Sequence, residues 1–245
     1  LIRHYIDKRQ AYSVEFRVQR ADGNWRWISA RGKFYGKGPD DSPARVAGVH
    51  VDITEQKEFE EILHHRIAQQ AAVAEFGQLA ITGISLDKLY GSAAVLISRV
   101  LKTRYSGVFE YNRGDKEFTL MAETGFECAP GDSYRMPADR KTYIGIAMNR
   151  AMPVTVKDIG DEPNISFSRL LQSRGITGGI AVRIPGSDGP FGVIGAYHRD
   201  PRSYRADQAY FMESIASILG AAAQQDKTIR ELQRAETRFR TVYES

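Results

Sequence analysis

One cysteine, Cys128, stands in a chain of 245 residues that carries five histidines. A lone thiol forms no intramolecular disulfide and supplies no multi-cysteine metal site, and such sparing use of cysteine favours a reducing compartment. The pair His64-His65 falls in a helical stretch, but Arg66-Ile67-Ala68 follow it. A phospho-accepting histidine is instead followed by Glu and an Arg-Thr-Pro run, so the pair reads as a solvated helix face. Neither a Gly-Gly-Glu-Glu-Phe loop nor a glycine-rich phosphate loop occurs. No nucleophile, metal cluster or acid–base pair converges at a recognisable spacing, and no catalytic residue is assigned. Arg183 is different in kind. It lies between Val182 and Ile184, and a guanidinium in an apolar strand is placed to hold an anion through charge-assisted hydrogen bonds.

The elements that must position these residues follow from periodicity. Val14, Phe16 and Val18 alternate with Glu15, Arg17 and Gln19, the period of a half-buried strand. Asp22-Gly23 supplies a hairpin turn, and a second strand runs through Trp25, Trp27 and Ile28 towards Tyr35. Gly36 to Pro43 is a loop, and a third strand spans Arg45 to Val51. Three such strands are a weak free-standing unit, so an upstream segment is expected to complete the sheet. Asp52 is placed to cap the next helix, with Glu55 three residues later completing a capping box. That helix is expected over Ile53–Ile81, with Phe59, Leu63, Ile67 and Val73 at helical spacing. Thr82 to Ser85 breaks it, and Ser85 is a plausible N-cap for a helix over Leu86–Leu101. Strands are expected around Val108–Tyr111 and Glu117–Glu123, with a turn at Asn112–Asp115 between them. After a Gly- and Pro-bearing region from Thr124 to Arg140 come a helical patch at Ile144–Arg150, a short strand at Pro153–Val156 and a short helix at Ser166–Arg174. Strands at Gly179–Ile184 and Phe191–His198 and a helix from Ala206 to the end complete the pattern.

The run Glu15-Phe16-Arg17, Arg20-Ala21-Asp22-Gly23, Trp25-Arg26-Trp27, Gly48-Val49, Asp52-Ile53-Thr54-Glu55 resembles the C-terminal half of a PAS domain. Residues 72–225 resemble a GAF domain. That resemblance is carried by Ser85-Leu86-Asp87-Lys88-Leu89, Gly145-Ile146-Ala147, Met152-Pro153-Val154, Asp158-Ile159, Gly175-Ile176, Ala181-Val182, Gly192-Val193-Ile194-Gly195 and Asp200-Pro201-Arg202-Ser203-Tyr204. Arg183 is a departure, since the family often has proline after the Ala-Val pair. Residues 234–240 resemble the entry helix of a further PAS domain, so the chain reads as a piece excised from a longer protein. The fold class expected is α+β, an antiparallel sheet in each domain. The expected boundaries are 1–54 for the PAS part, 55–81 for a linker helix, 82–225 for the GAF domain and 226–245 for an output helix.

The GAF resemblance implies a cavity between the sheet and the segments from 124 to 175. Phe109, Met121, Tyr143, Phe167, Arg183 and Tyr197 are the candidate lining, although the aromatics would serve equally in a closed core. Cofactors of related domains find no motif here. Bilin attachment places Cys beside His, whereas Cys128 is flanked by Glu127 and Ala129. Haem requires an inward histidine, for which His198 is the one GAF candidate. The cyclic-nucleotide signature is not recognisable, and sulfoxide reduction needs cysteines able to pair.

Counting in sevens along the last helix gives Ile215, Ala222, Ile229, Glu236 and Ile218, Gln225, Leu232, Phe239. This is a mostly apolar seam of coiled-coil type. Its early part also suits packing on the sheet, whereas Ile229, Leu232 and Phe239 need a partner helix, most simply from a parallel homodimer. The expected function is a sensory region of a bacterial signalling protein, either binding a small ligand or relaying a change through paired helices. The parent expected is a histidine kinase, followed by a cyclic-dinucleotide cyclase or phosphodiesterase. A ligand-free dimerisation spacer and the regulatory region of a transcription factor are the alternatives. With 34 basic and 30 acidic side chains and no Lys/Arg block, nucleic acid is not an expected partner. No apolar run approaches the roughly 18–20 residues of a membrane helix, and a cytoplasmic location is expected.

Overall fold

The computed structural model describes residues 11–35, 45–128 and 134–243, and the side chains of all of these except 34, 35, 46 and 238–243. The expected loop at 36–43 and the side chain at the seam position Phe239 therefore lie outside what is described. The architecture is α+β, and the chain divides into two compact units, Leu1–Ile67 and Ala68–Ser245. Among the described residues no helix is long and apolar enough to cross a membrane.

In the first unit, β1 (Tyr12–Gln19), β2 (Trp25–Tyr35) and β3 (Arg45–Asp52) form an antiparallel sheet in that order. Gly23 turns the β1–β2 hairpin at φ 85, a left-handed conformation glycine adopts without steric cost. Register follows the alternation: Phe16 pairs with Ile28 and Arg17 with Trp27. Helix α1 (Thr54–Ile81) starts directly after β3. The Asp52 carboxylate accepts the Thr54 amide at 3.0 Å and its hydroxyl at 2.6 Å, and that hydroxyl in turn accepts the Trp27 amide at 2.9 Å. The expected cap at Asp52 is present but the box is not completed: Thr54, in the first turn, ties the helix start to β2, and among the described residues Glu55 makes no return hydrogen bond. These bonds hold the Asp52 carboxyl below its ordinary pKa, the Thr54 hydroxyl contributing most. Lys57 pairs with Glu15 at 2.7 Å and lies over the Trp27 ring.

The second unit is a six-stranded antiparallel sheet in the order β6-β5-β4-β9-β8-β7. Its strands are β4 (Tyr105–Asn112), β5 (Glu117–Thr124), β6 (Arg135–Pro137), β7 (Val154–Val156), β8 (Gly178–Ile184) and β9 (Gly192–His198). The short β6 arises inside the Gly- and Pro-bearing region, where Met136 pairs with Phe118 of β5 and both are buried. One face is covered by the second half of α1, by α2 (Leu86–Leu101) and by α5 (Ala206–Tyr243). Val108, Ile180, Val182, Ile184, Ile194 and Ala196 point to that side. Their alternation partners Phe109, Ala181, Val193 and Tyr197 point to the other, under α3 (Tyr143–Asn149) and α4 (Arg169–Ser173). A strand whose successive side chains enter two different cores must be apolar throughout, as β9 is: all of its residues are buried.

Helix α2 begins at the N-cap Ser85, whose side chain makes no capping hydrogen bond, and ends at Lys102 in the left-handed conformation, φ 50. The Thr142 hydroxyl caps α3 by accepting the Gly145 amide at 3.2 Å. A Cβ at Gly145 would overlap the Asp139 carbonyl, so the close turn into α3 requires glycine there.

Candidate functional site

Beneath α3 and α4 lies an interior of aromatic rings. β4 contributes Tyr105 and Phe109, β9 Tyr197, α3 Tyr143, the segment before α4 Phe167, and the turn after β5 Phe126. Tyr143 meets Phe167 at 5.2 Å and Tyr197 at 6.3 Å between ring centroids; Phe126 meets Tyr105 at 5.5 Å and Tyr197 at 5.8 Å. These spacings are those of favourable tilted and edge contacts. Four of the six sequence-derived candidates, Phe109, Tyr143, Phe167 and Tyr197, are buried here against one another and their neighbours.

Met121 departs from that expectation. Val108 pairs with Ala122 but Phe109 pairs with Leu120, so Met121 is the extra residue of a β-bulge. The bulge turns it outward, and 36% of its surface is exposed. Periodicity alone does not announce a bulge. Arg183 shares a sheet face with Ala181 by alternation with the helix-facing Val182 and Ile184. It is half-buried, and among the described residues its side chain has no hydrogen-bond or ion-pair partner.

Two tyrosine hydroxyls in this interior behave differently. Tyr143 donates to the Val154 carbonyl at 2.7 Å. The Tyr197 hydroxyl is buried with no partner among the described residues. It folds back over Gly195, where a Cβ would overlap it. Burial raises both phenols well above their ordinary pKa, so both are neutral donors throughout the physiological range.

A second feature lies where β4 begins and β9 ends. A cleft of about 490 Å³ is lined by Lys102, Thr103, Arg104, Tyr105, Tyr197, His198, Arg199, Asp200, Pro201 and Arg202. The Arg202 guanidinium donates to the Leu101 carbonyl at 2.9 Å and the Lys102 carbonyl at 3.4 Å, closing the C-terminus of α2. Arg199 donates through Nε to the Arg174 carbonyl at 2.7 Å and sits 5.1 Å from the Tyr105 ring centroid; Arg104 sits 5.6 Å from the same centroid. Arg104 also pairs with Glu127 at 3.3 Å. His198 is buried against Tyr204, and among the described residues neither ring nitrogen has a well-formed hydrogen bond. Burial, then the Arg202 charge, lowers its pKa, against a weaker upward pull from the Asp200 backbone and the Asp158 and Asp200 charges. Burial pushes the Tyr204 phenol up to about 12.

Sequence reading singled out His198 and the Asp200–Tyr204 run but missed the cleft. Its other basic wall, Lys102 and Arg104, is remote in the chain and carries no motif. Cys128 is half-buried, and its amide donates to Glu123 at 3.2 Å. Among the described residues no group of three His, Cys, Asp or Glu side chains is arranged to hold a metal.

Comparison with known proteins finds likenesses of two kinds. The family model for the PAS fold matches residues 1–50. No curated protein sequence matches the chain. Among solved structures, the GAF domain of a phosphoenolpyruvate-protein phosphotransferase from Coxiella burnetii is similar at 16% identity and TM-score 0.59, over 68% of this chain and 97% of that one. A methyl-accepting chemotaxis protein, residues 122 to 287, is similar at 14% identity and TM-score 0.55, over 63% and 98%. The phycoerythrobilin-bound GAF domain of a cyanobacterial phytochrome is similar at 14% identity and TM-score 0.54, over 66% and 97%. At these identities the likeness is one of fold, and the fold is of GAF type.

Proposed function

We propose that the chain is the sensory and regulatory region of a bacterial signal-transduction protein, cytoplasmic, whose GAF-type unit relays a change through helices paired between two copies. The observation that carries this reading is the far half of α5. Its early seam residues are spent on the core of the second unit: Ile215 is fully buried, Ile218 and Ala222 pack against the same cluster, and among the described side chains Ala223 is the last buried one. Ser187 and Asp188, in the β8–β9 turn, contact the helix at Gln224 and Lys227. Beyond that point α5 continues to Tyr243 with Ile229 46% and Leu232 65% exposed. Apolar seam residues without a covering element favour a second helix, and a parallel copy supplies one in register. In this reading a signal shifts the population between two arrangements of the helix pair. A histidine kinase or a cyclic-dinucleotide enzyme is the output we favour, from the PAS match beside a GAF-type fold.

A second reading, a ligand-free dimerisation spacer, is favoured by the ring-filled interior. Arg183 and the unpartnered Tyr197 hydroxyl favour a ligand instead. Native mass spectrometry of the chain, followed by denaturation of the same sample, separates these. The expected result is a mass near twice 27.5 kDa, converted to monomer by Ile229→Lys with Leu232→Lys. A releasable small molecule supports sensing by ligand, and a dimer without one supports the spacer. A wild-type monomer at micromolar concentration overturns the relay.

A further inference from the structure

The cleft at the end of the sheet carries a charge arrangement that the fold alone does not require. Its lining holds four cations, Lys102, Arg104, Arg199 and Arg202, against one carboxylate, Asp200. Like charges gathered this closely repel, so a purely structural cluster would be expected to neutralise each with a carboxylate. Among the described residues only Arg104 is so neutralised, by Glu127. Arg199 and Arg202 are anchored instead on backbone carbonyls and on the rings of Tyr105 and Tyr204. Such anchors fix the position of a guanidinium while leaving its charge uncompensated. Lys102 has no hydrogen-bond or ion-pair partner of its side chain among the described residues.

The cleft is also built rather than incidental. The Thr103 hydroxyl donates to the Tyr197 carbonyl, and the Ser98 hydroxyl donates to the Thr103 carbonyl at 2.6 Å, locking the start of β4 to the end of β9. The floor is formed by buried Tyr105, Tyr197 and His198. Pre-positioned guanidinium groups beside a mobile ammonium suit an oxyanion that offers several acceptor atoms at once.

We propose that this cleft is a binding site for a small phosphate-bearing molecule, with Lys102 and Arg199 as its principal ligands and Arg202 as the group that also joins the site to the end of α2. A phosphate dianion presents enough oxygens for both, and the cleft has room for a phosphate with a small organic substituent. The site shares the Tyr105 and Tyr197 rings with the aromatic interior under α3 and α4, and its occupation does not depend on helix pairing.

The test is titration of the 245-residue chain with inorganic phosphate, followed by calorimetry and by phosphorus NMR line width. Saturable binding in the millimolar range or tighter is expected. Lys102→Met with Arg199→Met should weaken it by about tenfold or more, whereas Lys88→Met with Arg150→Met, which removes two charges elsewhere in the same unit, should leave it unchanged. Arg199→Lys should retain part of the affinity, because it keeps the charge and loses the fork. Circular dichroism of each variant verifies the fold. Binding of neither inorganic phosphate nor a phosphate monoester by the folded wild-type chain overturns the proposal, as does equal loss in both double variants, which would indicate non-specific attraction. Binding of a larger phosphate ester but not of phosphate itself supports the site and identifies the substituent as the specificity element.

Discussion

The two interior tyrosines make a matched pair for a stability experiment, since each loses only its hydroxyl on substitution by phenylalanine. Tyr143→Phe removes a buried hydrogen bond to the Val154 carbonyl and leaves that acceptor one partner short. Such a loss costs about 1–2 kcal/mol. Tyr197→Phe removes a buried hydroxyl that has no partner among the described residues. Its desolvation is uncompensated, so the change should be neutral or should stabilise by up to about 1 kcal/mol. The two variants should therefore differ by about 2 kcal/mol. With a urea dependence of about 2 kcal/mol per molar, their unfolding midpoints should lie about 1 M apart, with unchanged slope. Far-UV circular dichroism follows unfolding of the whole chain. Both tryptophans, Trp25 and Trp27, lie in the first, so their emission provides an internal control that neither substitution should move. Equal destabilisation by both would refute the reasoning, because the Tyr197 hydroxyl would then hold a partner such as ordered water or a bound molecule.

Two further predictions rest on the same unit. His198 has a folded-state pKa below its ordinary value. Above about pH 6.5 the side chain is neutral folded or unfolded. Below it the unfolded chain takes up a proton that the folded side chain resists. Stability is thus lost as pH falls from about 6.5 towards the folded value, at no more than about 1.4 kcal/mol per pH unit. His198→Phe, which keeps a ring against Tyr204, should flatten that slope relative to wild type in urea melts at several pH values; an identical slope would exclude His198 as its source. Two glycines should answer oppositely to alanine. At Gly91, inside α2, a Cβ meets nothing within 4 Å, so Gly91→Ala should stabilise by about 0.5–1 kcal/mol. At Gly195 it would overlap the Tyr197 ring, so Gly195→Ala should destabilise by about 1–3 kcal/mol, as thermal melts would show.

The amino-acid sequence by itself determined what depends on near neighbours. Alternation of Val14, Phe16 and Val18 set β1, the Asp22-Gly23 turn set its hairpin, and the Leu86–Leu101 helix lies where its spacing placed it. The two apolar strands β8 and β9 were legible for the same reason, since strands facing two cores have no polar face. Four of the candidate interior residues were also within reach, because large aromatics inside strands and short helices have few other places to go. Tertiary structure decided the rest. Met121 is outside because β5 carries one residue more than β4 can pair, which is a property of two strands rather than of one. Asp52 caps α1 as its position implied, but Thr54 rather than Glu55 ties down the helix start, because its hydroxyl accepts the Trp27 amide, a partner 27 residues away. The basic cleft brings Arg202 to Leu101 across 101 residues. Local spacing carries no record of such a meeting, because side chains that distant in sequence become neighbours only when β4 and β9 pair.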